Sequence, residues 1–98
     1  MWLVGAGYWG EKLLRDLKKL NVNAQVIDIK DNKTIADIDN NDPVMLATPL
    51  WQHKDQVIEL LDRGHDVYVE KPMAETTDDI IEISNHLDDN QILMVGHI

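Results

Sequence analysis

Three glycines near the N-terminus, in Gly5-Ala6-Gly7-Tyr8-Trp9-Gly10, have the spacing G-x-G-x-x-G. The pattern follows a short apolar run, Trp2-Leu3-Val4, and opens a segment where Leu13, Leu14, Leu17 and Leu20 recur at helical offsets. A turn of this kind between strand and helix suits a pyrophosphate. Gly5 permits the tight turn, Gly7 leaves room for phosphate to approach the backbone, and Gly10 lets helix and strand pack closely. The helix start adds unpaired N–H groups and the positive end of its dipole. Asp28 lies 18 residues after Gly10, at the end of the next apolar stretch. A carboxylate there accepts hydrogen bonds from ribose hydroxyls, which favours NAD. Lys30, two residues on, points instead to the 2′-phosphate of NADP. The bland alternative is a glycine turn that merely packs tightly, with Asp28 as a turn residue. Tyr8 and Trp9 are pocket walls or packing, and the sequence alone does not choose.

The elements that must position this turn alternate in type. Ala24 to Ile29 reads as a second strand, and residues 30–43 as a polar connection in which only Thr34-Ile35-Ala36 has strand character. Val44 to Ala47 is a buried strand closed by Thr48-Pro49. Val57, Ile58, Leu60 and Leu61 form a helical stripe that ends at Arg63-Gly64. Val67 to Val69 is the next strand, stopped by Glu70-Lys71-Pro72. Thr76 or Thr77 caps a helix with Asp78 and Asp79 in its first turn and Ile80, Ile81, Ile83 and Leu87 as its apolar stripe. Ile92 to Val95 is the last strand. This alternation predicts an α/β fold, Rossmann-like and doubly wound, with a mostly parallel sheet of about five or six strands in a single domain. Runs such as Val44–Ala47 and Ile92–Val95 read as strands buried on both faces.

Composition narrows the function. The 98 residues are 44% hydrophobic and 28% charged, the make-up of one small globular domain. Eighteen acidic against nine basic residues give a formal charge of −9, which argues against nucleic acid and against an anionic membrane as partner. There is no cysteine, so disulfides, zinc–thiolate sites and thiol nucleophiles are excluded. No apolar run approaches a membrane span of about 18 residues, and the start has no signal-peptide pattern, so a cytoplasmic location is expected.

Three further segments carry a resemblance. They are Ala47-Thr48-Pro49 with His53 four residues beyond the proline, the stretch Gly64-His65-Asp66-Val67-Tyr68-Val69-Glu70-Lys71-Pro72-Met73-Ala74, and Val95-Gly96-His97. With the glycine turn, the chain resembles the nucleotide-binding domain of the Gfo/Idh/MocA oxidoreductases, whose E-K-P motif falls on Glu70-Lys71-Pro72. The resemblance is strong over residues 1–10 and 43–98. It implies a six-stranded sheet and NAD(P)-linked hydride transfer to or from a polyol, sugar or sugar nucleotide. It also implies that Thr48 and Pro49 line the adenine and ribose side, that Glu70 lies near the nicotinamide ribose, and that Pro72 holds its turn, often through a cis bond. Lys71 would meet the reacting oxygen and His97 would face the cofactor pocket, the two catalytic candidates. His53 joins the cofactor-binding set. Read without the family, Lys71 is a surface lysine, and His53 and His65 are a helix-start and a loop residue. His86 is a cation at a helix C-terminus.

The chain departs from the family in two ways. Only 14 residues, Ile29 to Asp42, separate the Asp28 strand from Pro43, so the third-strand region is shortened to one short strand or one helical turn. The family's substrate domain has no counterpart in these residues. A cofactor-binding domain, not catalytically complete alone, is therefore expected. Apolar surface around Trp51, Met73 and the strand ends is expected to be exposed, and a homo-oligomer or a partner chain to cover it. The alternative is a non-catalytic nucleotide-binding or protein-interaction module that keeps the fold.

Overall fold

A computed structural model describes residues 1–5, 7–28 and 33–96, and of Tyr8 and Trp9 the backbone. The elements are β1 (Trp2–Val4), α1 (Tyr8–Lys19), β2 (Gln25–Ile27), β3 (Val44–Leu46), α2 (Leu50–Asp62), β4 (Val67–Glu70), α3 (Thr77–His86) and β5 (Leu93–Gly96). The five strands form one sheet in the order β2-β1-β3-β4-β5, and every pairing is parallel. Order reverses beside β1. The chain steps outward from β1 to β2, returns to β3 on the other side, and continues to β4 and β5. Open α/β sheets bind ligands outside the strand C-termini at such a reversal.

Helix ends follow the sequence signals. Thr76, not Thr77, caps α3, its hydroxyl accepting from Asp79 N–H at 3.1 Å. Arg63 closes α2, and Gly64 follows at φ +92°. That left-handed conformation is open to glycine at little cost.

The strand in Thr34–Ala36 is replaced by one turn of 3₁₀ helix, Ile35–Asp37. The reason is local. Thr34 and Asp37 form a reciprocal capping box, which completes a helical turn and not a ladder. Arg63 then donates to the Ile35 and Ile38 carbonyls at 2.9 and 3.2 Å. Ile35 and Ile38 are buried, and the Trp2 indole donates to Asn40 at 2.9 Å. The sheet therefore has five strands among the described residues, the smaller of the two expected numbers.

The main core lies on one face. Trp2, Val4, Val44, Leu46, Val67 and Val69 meet Val57, Leu60 and Leu61 of α2 and Ile83 of α3. Strand alternation turns Leu3 to the other face, where Leu13 and Leu17 of α1 are buried. Three apolar expectations are corrected. Leu20, at the end of α1, is 72% exposed. In α3 only Ile83 is buried, because the helix rests on α2 and turns Ile80, Ile81 and Leu87 outward. β5 is an edge strand, so Met94 and Val95 are exposed and burial on both faces fails there. Trp51 is exposed as expected, whereas Met73 is half-buried against the core. Among the described residues no helix is long and apolar enough to cross a membrane.

Leu60 is fully buried, and its truncation leaves a cavity. Leu60→Ala is expected to lose about 2–5 kcal/mol in urea unfolding, and Leu20→Ala to change stability by under about 0.5 kcal/mol.

Candidate functional site

Parallel register lines up the strand ends. Val4 pairs with Ile27 and Leu46, Leu46 with Val69, and Val69 with Val95. One residue further on, Asp28, Gly5, Ala47, Glu70 and Gly96 form a row along the C-terminal edge. Backbone bonds hold the row. Gly5 N–H donates to Ile27, Ala47 N–H to Val4, and Lys71 N–H to Gly96, each at 2.8 Å. Gly5 and Glu70 are two inter-strand steps apart, about 10 Å.

The glycine turn occupies the reversal point. Gly5 has φ +98°, and a Cβ on it would lie 2.6 Å from the Ala47 carbonyl oxygen. A Cβ on Gly10 would run into the Gly5 carbonyl oxygen. By contrast, a Cβ on Gly7 would meet no atom of the described residues within 4 Å. Gly7 is the N-cap of α1, and no side chain caps the helix. Among the described residues, the first N–H groups of α1 therefore have no side-chain cap, and the space beside Gly7 is unfilled, the arrangement an anion requires. Asp28 is half-buried just past β2.

Thr48 and Pro49 form the turn from β3 into α2. The Thr48 hydroxyl donates to Gln56 Oε1 at 2.5 Å, and Gln56 in turn donates to Gln52 at 3.1 Å. The two glutamines escaped the sequence reading, although positions 48, 52 and 56 share a helical period. His53 is 3% exposed. Its Nε2 lies 2.8 Å from the Thr48 carbonyl oxygen and its Nδ1 3.0 Å from that of Pro72. The histidine thus ties the β3–α2 turn to the turn after β4. The bond between Lys71 and Pro72 is cis.

Glu70 is half-buried, and its Oε1 is buried with no hydrogen-bond partner among the described residues. Burial pushes this carboxyl above the ordinary carboxylate range, and the charge of His53 opposes part of that rise. Lys71 is exposed. The Tyr68 hydroxyl lies against Gly96, where any Cβ would collide with it. Tyr68 stands two residues before Glu70 on one strand, and that spacing is the signal that would have placed it on the same face. His97, Lys30 and the side chains of Tyr8 and Trp9 lie outside the described residues.

His65 and His86 sit away from this edge. His65 is buried and its Nδ1 donates to the Asp42 carbonyl at 2.8 Å. His86 Nδ1 lies 2.8 Å from Asp62 Oδ1. A cavity of about 520 Å³ near them is lined by Asp62, Gly64, Asp66, His86 and Gln91. Most of these polar side chains are already engaged. Asp66 accepts from Ile92 N–H, and Gln91 donates to the Leu61 and His65 carbonyls. Among the described residues no group of three or more histidines and carboxylates is placed to hold a metal ion.

Residues 18–97 match the oxidoreductase family GFO_IDH_MocA, described as an NAD-binding Rossmann fold. The chain belongs to the Gfo/Idh/MocA oxidoreductase family. It is 29% identical, over 98% of its length, to a 2,7-anhydro-N-acetylneuraminate hydratase of Mediterraneibacter gnavus, of which it covers 30%. That alignment runs over 114 positions against a chain of 98, so the relative carries residues that this chain lacks. An NAD-binding protein from Listeria innocua superposes with TM-score 0.76 at 27% identity, over 96% of this chain and 34% of that one. The WlbA dehydrogenase of Chromobacterium violaceum, solved with NADH and UDP-GlcNAcA, gives TM-score 0.77 at 26% identity, over 97% of this chain and 34% of that one. The chain spans about a third of the length of the relatives it matches. As a Gfo/Idh/MocA member it has the family's Rossmann-like NAD-binding domain, with five strands among the described residues where the resemblance implied six.

Two predictions follow from the site's own physics. Gly10→Ala is expected to destabilise the fold severely, because the new methyl meets backbone, while Gly7→Ala leaves the melting temperature nearly unchanged. Glu70 binds its proton more tightly folded than unfolded. Its contribution to stability is present below the unfolded value of about 4.3 and is lost as pH rises through the folded value. Glu70→Gln is therefore expected to melt higher than the native chain at neutral pH, with the gap closing toward pH 4.

Proposed function

We propose that residues 1–98 form the NAD-binding domain of an oxidoreductase that acts by hydride transfer on a sugar, polyol or sugar nucleotide. The observation that carries this reading is the contrast among the glycines. Gly5 and Gly10 are closed by backbone, whereas Gly7, among the described residues, opens onto space beside a helix start with no side-chain cap. The Glu70 Oε1, unpartnered among the described residues and in the same row of strand ends, fits a ligand hydroxyl. A pyrophosphate would take the N–H groups at Gly7, Tyr8, Trp9 and Gly10. Asp28 would take the adenosine ribose, Thr48, Pro49 and His53 the adjoining wall, and Glu70 and Pro72 the nicotinamide ribose side. The bound dinucleotide would supply the hydride chemistry. Lys71, exposed at that end of the row, would hold the reacting substrate oxygen and stabilise charge developing on it. His97 would stand beside it. The sugar-type substrate is supported by the relatives named above and by the family.

Asp28 favours NAD, with NADP the alternative that Lys30 leaves. The exposed side chains of Trp51, Ile92, Met94 and Val95 support a covering partner, either a second copy or another domain. The residues that complete turnover would come from that side. The shortened connection between β2 and β3 favours a second reading, a non-catalytic module that keeps the fold without the cofactor.

Calorimetric titration with NADH and NADPH separates the two readings. Saturable binding with NADH preferred is the expected result, and no binding of either nucleotide would leave the non-catalytic module. Gly7→Val should weaken NADH at least tenfold with little change in melting temperature. Asp28→Ala should weaken NADH more than NADPH, and equal losses would remove its ribose role.

A further inference from the structure

We propose that His53 is the positioning residue of the nucleotide edge, a clasp that holds the Thr48 and Pro72 turns together only while both of its ring nitrogens carry a proton. The argument is one of donors and acceptors. Both nitrogens face backbone carbonyl oxygens, at 2.8 and 3.0 Å. A carbonyl oxygen only accepts. A neutral imidazole has one N–H and one bare nitrogen, so it can satisfy one of the two and sets lone pair against lone pair at the other. Only the doubly protonated ring donates to both. The ring is 3% exposed, which leaves little room for water to mediate either contact.

The surroundings balance this charge. From β4, the Glu70 carboxylate interacts electrostatically with the ring and supplies the opposite sign. On α2 itself the next residue is Lys54. Its ammonium is taken up by Asp79 at 3.5 Å and Glu82 at 2.7 Å, both from α3, so those carboxylates are engaged away from His53. The N-terminal end of α2 opposes a cation at its fourth residue. Lys71, after β4, is exposed to solvent. Two charge-assisted bonds and one carboxylate thus stand against burial and the helix dipole. When one proton leaves, one carbonyl is released, and the two turns that would flank the nucleotide are no longer tied. The link to the nucleotide rests on the function proposed above, whereas the clasp itself does not.

The test follows the unaltered, ¹⁵N-labelled 98-residue chain from pH 5.5 to 9 by long-range proton–nitrogen NMR of its imidazoles. The amides of Thr48 and Met73 are read in the same samples. We expect both His53 nitrogens to be protonated at the acid end. Loss of one proton should then move both amides with a single midpoint. His53→Gln should abolish that shared transition. NADH affinity should fall about tenfold across the same midpoint, the effect of losing one bond to a charged donor. A His53 ring with one bare nitrogen at every pH, or amides that ignore its titration, would overturn the clasp. A joint transition with flat NADH affinity would overturn the positioning role. Failure of NADH to bind at any pH would count against the proposed function, and the ring and amide spectra would still decide the clasp.

Discussion

Between the end of β1, the start of α1 and the end of β3 there is no room for a side chain. The Ala47 carbonyl stands where a Cβ on residue 5 would be, and the Gly5 carbonyl stands where one on residue 10 would be. Backbone touches backbone at both places. That closeness fixes where α1 begins and how it leans on the sheet. It also sets the Thr48 turn beside the glycine turn, so two helix starts share one edge. Gly7, two residues from the tight spot, is left facing space. The same steric fit that builds the turn therefore produces its vacancy.

Further along that edge the arrangement depends on side chains. His53 joins the turns after β3 and β4, and a glutamine pair fixes the Thr48 hydroxyl. Glu70, at the end of β4, has one oxygen without a partner among the described residues. A buried oxygen in that condition is costly, and the structure tolerates it at the place where the family resemblance sets a ligand. Lys54, bridging α2 to α3, keeps the helix that carries His53 seated against its neighbour.

The glycine turn, the strand–helix alternation and the Thr76 cap were legible because each depends on residues close in sequence. The topology was legible for the same reason, since parallel strands with short crossovers leave few arrangements. Other features depended on distant partners. The apolar run at Ile92–Val95 looks buried, but its exposure follows from β5 lying at a sheet edge. The isoleucines of α3 repeat as a helical stripe, yet only Ile83 reaches the core, because α2 is what the helix packs on. Thr34-Ile35-Ala36 has strand-like residues, and the capping carboxylate of Asp37 turned them into a helix. For His53 the sequence offered a helix-start residue. Its two carbonyl contacts are set by Thr48, five residues before it, and by Pro72, nineteen after, and the second distance carries no local signal.

The 3₁₀ turn at Ile35–Asp37 has a consequence for how this fold tolerates change. Ile35 and Ile38 plug the core beside Trp2, and Arg63 clamps the plug from α2. The stopper thus seals the core within the stretch that links β2 to β3. None of its contacts touches the row from Gly5 to Gly96. The length of this connection and the ligand edge are in this sense separate parameters. Segments of different length can be exchanged between β2 and β3, provided they seal the core, while the geometry of the row is kept.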